Sequence, residues 1–212
     1  QENPFPAKID GATRSLLEYA GPEMSFPYNA LFANLWLTEG ILKKVFTAAT
    51  SSSAMVRTTT APTMVDGGVK DNVLPTSASA KINFRILPGE TMETVQRYVE
   101  RTINDERITV TADAEFGANP SPISGDDTFG FLVIQKSMLE IFPGTIVAPA
   151  LVIGATDSRH YQELTDQVYR FQPIQIAKED TKLFHGIDER VSVENYKQAI
   201  RFYRQLILNS CQ

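Results

Sequence analysis

Three short runs in this sequence carry side chains able to do chemistry at a site. In Lys70-Asp71-Asn72-Val73-Leu74-Pro75, Asn72 offers a neutral donor and acceptor that can meet a carboxylate or a tetrahedral oxyanion. The same run also reads as plain turn chemistry, because Asp-Asn ahead of a proline favours a turn. Gly154-Ala155-Thr156-Asp157-Ser158-Arg159 sets a glycine, a hydroxyl, a carboxylate and a guanidinium behind the apolar stretch Leu151–Ile153. The carboxyl end of a strand is where open α/β sheets bind ligands. Arg159 can clamp a carboxylate through two parallel hydrogen bonds, with Asp157 steadying the guanidinium or capping a following helix. A capped helix start with a surface Arg–Asp pair accounts for the same residues without any ligand.

The third run holds one of only two histidines in the chain. His185 lies in Phe184-His185-Gly186-Ile187-Asp188-Glu189-Arg190, where a loop can present an imidazole at a sheet edge or simply expose it on the surface. His160, between Arg159 and Tyr161 in an apolar-flanked segment, reads as a packed or hydrogen-bonded core residue. No Ser-His-Asp order, phosphate-binding glycine loop, dinucleotide fingerprint or paired-cysteine zinc motif occurs.

The elements that must position these runs follow from periodicity. Residues 10–53 carry apolar positions at three- and four-residue spacings, broken at Gly21-Pro22 and Phe26-Pro27, and predict two helices. A Thr-rich segment from Met55 to Met64, a turn at Asp66-Gly67-Gly68 and alternation from Ala78 to Leu87 predict a hairpin-like pair of strands. Thr91 is placed to cap a helix running through Val95, Tyr98, Val99 and Ile103, and Arg107 to Ala114 alternates as a further strand. The order strand, strand, helix, strand is most of a split βαβ sandwich lacking its opening strand and helix.

Residues 117–125 form the clearest break in composition and predict a hinge between domains. Beyond it come a helix over Phe129–Phe142, strands over Ala148–Ile153 and Gln167–Ile176, and a final amphipathic helix over Glu194–Leu208. This alternation argues for an α/β layer.

Composition removes several classes of function. A net charge of −5 offers no basic surface for a phosphate backbone, so nucleic acid is not an expected partner. Apolar runs such as Ile146–Ile153 are far too short for the roughly 30 Å of a bilayer, and the chain reads as soluble. Cys211, the one cysteine, cannot form an intrachain disulfide. The opening Gln1-Glu2-Asn3-Pro4 carries no initiator methionine or signal peptide, which predicts a processed or truncated product and leaves the compartment open.

Taken in order, six runs resemble the zinc metallopeptidase family of carboxypeptidase S, aminoacylase and succinyl-diaminopimelate desuccinylase, with the carboxypeptidase S branch nearest. They are Arg57–Ala61, Gly68–Pro75, Asn83–Gly89, Gly154–Arg159, Tyr169–Pro173 and Phe184–Arg190. The resemblance implies a catalytic α/β domain interrupted by a lid that often dimerises. It makes residues 1–118 most of the lid, an incomplete ferredoxin-like sandwich, and residues 119–212 the C-terminal part of the catalytic domain. It assigns Asn72 and Arg159 to the substrate carboxylate or oxyanion, Gly154 and Thr156 to the shape of that pocket, and His185 to zinc. Asp157 would sit beside the arginine without touching metal.

The activity implied is zinc-dependent cleavage of the amide bond next to a free C-terminal carboxylate, in a dipeptide or an N-acyl-amino acid. A homodimer through the lid is implied too. The family's His-x-Asp pair, bridging aspartate, Glu-Glu pair and lid histidine do not occur here, so the expectation is that these residues alone bind zinc weakly and are inactive, with no catalytic residue among them. A non-catalytic dimerisation or carboxylate-binding module is the rival expectation.

Overall fold

In a computed structural model the described residues are 2–113, 115 and 117–211. The chain divides into two compact units, Gln1–Ile123 and Ser124–Gln212. It is a mixed α and β protein, as its patterns imply.

The first unit opens with four helices, α1 (Gly11–Ala20), α2 (Tyr28–Ala33), α3 (Leu35–Ala48) and the single turn α4 (Thr50–Ser53), rather than two. Gly21-Pro22 closes α1 into a short 3-10 turn, and Pro27 stands immediately before α2, since proline fits a helix start but not its interior. Asp10 caps α1 by accepting from the Gly11 amide at 2.8 Å. The core of the unit gathers Ile9, Leu17, Leu35, Leu42 and Val56, with Phe32, Phe46 and Met55 against it. Thr13 is buried among them because its hydroxyl donates to the Met55 carbonyl at 2.7 Å.

Strands β1 (Thr59–Gly67) and β2 (Ala78–Arg85) pair antiparallel, from Thr59 opposite Arg85 to Gly67 opposite Ala78. The register slips between Pro62 and Met64, where a proline without an N–H cannot keep the ladder. β1 thus runs past the expected turn, and the connection is the exposed loop 68–77, entered through Gly68 with φ +82°. The ribbon's root is held by a polar cluster. The buried Thr58 hydroxyl donates to Glu90 Oε2 at 2.7 Å and accepts from the Leu87 amide at 2.9 Å, and Glu90 pairs with Lys8 at 3.1 Å. Phe5 stacks on Tyr98 and meets Phe84 edge-on, fixing the start of the chain against β2 and α5 (Met92–Ile103). Thr91 caps α5 in a reciprocal box with Thr94, and Asn104 ends it in the left-handed region.

The strand expected over Arg107–Ala114 makes no ladder among the described residues, and Ala114 lies outside them. In the second unit α6 (Phe129–Ile141) packs on α7 (Val193–Ser210). Phe202 is fully buried between Phe171 and Tyr203, and Ser137 is buried with its hydroxyl donating to Val133 and accepting from Asn209. The strands expected over Ala148–Ile153 and Gln167–Ile176 make no ladder among the described residues. Side chains take the place of a neighbouring strand. Ser124 accepts from the Val168 amide and donates to the Asp166 carbonyl, while Asn195 both accepts from and donates to the backbone of Gln175. Among the described residues no helix is long and apolar enough to cross a membrane.

Candidate functional site

Asn72 lies in the first unit, at a turn in loop 68–77 closed by the Val73 amide on the Lys70 carbonyl at 3.4 Å, and is exposed. Gly154, Thr156, Arg159 and His185 lie in the second unit and are exposed as well. Residues 154–159 follow the stretch 148–153 and enter the 3-10 turn Asp157–Tyr161 through Thr156, whose backbone is extended. That turn is closed by the Arg159 amide on the Thr156 carbonyl at 3.3 Å. No side chain caps it, and among the described residues no ion pair joins Asp157 to Arg159. The surface Arg–Asp pair weighed for these residues does not form.

The Arg159 guanidinium Nε instead approaches His160 Nε2 at 3.4 Å. His160 is exposed, which corrects its expected place in a core. The turn is a single exposed loop, and its apolar flanks Val152, Ile153, Tyr161 and Leu164 are themselves largely exposed. A Cβ placed on Gly154 would meet nothing within 4 Å.

Thr156 is the best-tied member of the group. Its Oγ1 accepts from Arg170 Nε at 3.0 Å and is hydrogen-bonded to Ser158 Oγ at 2.5 Å. Sequence spacing gave Arg170 no role, because the bond spans a turn between residues 14 apart in the chain. Beside it, the Tyr169 hydroxyl is held by the Gly125 carbonyl and by Thr128. The Gln162 side-chain nitrogen, just after the turn, is buried without a hydrogen-bond partner among the described residues.

His185 sits at φ +57° and Asp188 at φ +65°, an uncommon conformation for residues other than glycine. The His185 amide donates to Glu189 Oε2 at 3.0 Å, so the loop folds back on itself and leaves the imidazole exposed. Among the described residues, no group of three or more His, Cys, Asp or Glu side chains gathers that could hold a metal ion. A depression of about 860 Å³ lies at the end of α5, lined by Glu100, Asn104, Asp105, Arg107 and Val110 among others. None of the expected site residues lines it. There the Arg107 guanidinium holds the Asp105 carboxyl below its ordinary range.

Residues 15–110 match the family model described as a peptidase dimerisation domain. A probable carboxypeptidase S-like protein of Dictyostelium discoideum is 40% identical over 209 residues, covering 99% of this chain and 40% of that protein. An N-fatty-acyl-amino acid synthase/hydrolase of Xenopus tropicalis is 40% identical over 212 residues, covering 99% of this chain and 41% of its own length. Its human counterpart is 35% identical over 212 residues, with 99% of this chain and 42% of the relative covered. No solved structure matches the chain significantly. The chain is a homologue, over nearly its whole length, of carboxypeptidase S-like and N-fatty-acyl-amino acid synthase/hydrolase proteins, and it spans about two fifths of their length.

Proposed function

We propose that the full-length product is a zinc-dependent exopeptidase or amidohydrolase that cleaves the amide bond next to a free C-terminal carboxylate. The observation that carries this is the homology along 99% of the chain to proteins named for cutting a C-terminal residue or an acyl group from an amino acid. Both reactions share an amide bond beside an amino acid's carboxylate. In this reading residues 1–118 form the lid and residues 119–212 the C-terminal part of the catalytic domain. The dimerisation-domain match at 15–110 and the division of the chain after Ile123 support that arrangement.

Arg159 receives the substrate carboxylate through its planar guanidinium, and its exposure leaves it accessible. Asn72 supplies an amide donor to the carboxylate or the oxyanion. Gly154 and Thr156 shape the pocket around Arg159. A bound zinc would supply an activated water for the hydrolysis. His185 is the one candidate ligand here, whereas each zinc of a pair needs about four donors. The residues of this chain therefore do not make up such a centre, and no proton transfer or attack is assigned to them.

It follows that the 212-residue chain on its own holds zinc weakly and does not hydrolyse N-acyl-amino acids. Elemental analysis after dialysis should find far less than one zinc per chain. Stoichiometric zinc, or sustained hydrolysis by these residues alone, contradicts the assignment. We further read the β1–β2 ribbon as the contact of a homodimer, because Met64, Val65 and Ile82 stand exposed on strands whose residues are nearly all exposed.

A further inference from the structure

We propose that Arg170 is a positioning residue, which sets the Gly154–Arg159 loop, and with it the Arg159 guanidinium, by holding Thr156. The inference rests on the reading of Arg159 as the carboxylate grip. Three observations carry it. The Arg170 Nε donates to Thr156 Oγ1 at 3.0 Å, and Thr156 is bonded onward to Ser158 at 2.5 Å, so one guanidinium anchors both hydroxyls of the loop. Arg170 is half-buried and follows Tyr169, whose hydroxyl is fixed by Gly125, so the anchor is attached to a held segment rather than a free one. The carbonyl of Thr156 also closes the turn by accepting from the Arg159 amide at 3.3 Å, so whatever fixes Thr156 fixes the backbone from which Arg159 projects.

Other features hold this loop poorly. No side-chain hydrogen bond caps the 3-10 turn, and a Cβ added at Gly154 would meet nothing within 4 Å. Thr156, besides shaping the pocket, is therefore the link between the anchor and the grip. A hydrogen bond from a charged donor is worth more than a neutral one, and its loss corresponds to about tenfold or more in an equilibrium. A lysine at 170 keeps the charge but not the planar Nε–H, so it should restore little.

Two measurements test the proposal. The first is amide hydrogen exchange at Arg159 in the 212-residue chain, which needs no substrate. Arg170→Gln and Thr156→Val should each speed exchange about tenfold. Thr156→Ser, which keeps the hydroxyl, should stay near the parent, and the double variant should be no worse than the worse single one. The second is the KM of the full-length product for an N-acyl-amino acid. The same two substitutions should raise it about tenfold with kcat within about twofold, the pattern of lost ground-state binding.

Unchanged exchange, additive double-variant effects, or faster exchange with an unchanged KM would overturn the proposal. Should Arg159→Ala leave KM unchanged, the carboxylate-grip reading falls and takes the positioning role with it. The exchange data still decide separately whether Arg170 orders the loop.

Discussion

Gly154 has room for a side chain. Its φ lies outside the left-handed region and an added Cβ meets nothing within 4 Å, so neither backbone conformation nor packing within this chain explains a glycine. Close approach of a ligand does, if the loop after Ile153 is a carboxylate pocket. Gly154→Ala should then leave stability unchanged or raise it by about 0.4–1 kcal/mol, through a less flexible unfolded chain, while KM for an N-acyl-amino acid rises. Thermal unfolding and steady-state kinetics read the two effects apart, and a loss of stability with unchanged KM would remove Gly154 from the site. At this scale residue type and order pointed to Arg159, Asn72 and His185, because clamping, oxyanion and ligand chemistry are properties of single side chains. The Arg170–Thr156 bond was not legible, since it depends on how the chain turns back between them.

At the scale of elements, local signals did well where the partners are close in sequence. Thr91 caps α5 with Thr94 three residues on, as its place ahead of the helix predicts, whereas the cap of α7 by Ser192 is seen only in the structure. The β1–β2 pairing was legible from alternation, though the bulge at Pro62 and the extra reach of β1 were not. Alternation shows which face a strand would bury. It does not show whether a neighbour is present, and so 148–153 and 167–176 read as strands yet make no ladder among the described residues, 167–176 meeting side chains instead.

The Thr58–Glu90–Lys8 cluster joins three segments distant in sequence and gave no sequence signal. Thr58→Val keeps the shape but strands the Leu87 amide and Glu90 Oε2, and should cost about 1–3 kcal/mol in denaturant unfolding. An unchanged midpoint would show that the hydroxyl's two bonds contribute nothing net.

At the scale of the molecule, the exposed ribbon and the dimerisation-domain match bear on assembly. A two-stranded ribbon is marginal in water, and unpaired edges carrying Met64 and Val65 favour pairing with a second copy. Light scattering should find a dimer for the parent chain and a monomer for Val65→Lys, with far-ultraviolet circular dichroism unchanged. A parent chain that stays monomeric at every concentration tested would contradict the proposed contact.

The central claim concerns the carboxylate beside the cleaved bond. Its most direct test compares kcat/KM of the full-length product for an N-acyl-amino acid and for the matching C-terminal amide, in the parent and in Arg159→Ala. The account predicts a strong preference for the free acid that Arg159→Ala largely abolishes, by weakening the acid and sparing the amide. Equal cleavage of acid and amide by the parent, or a preference that survives Arg159→Ala intact, would contradict it.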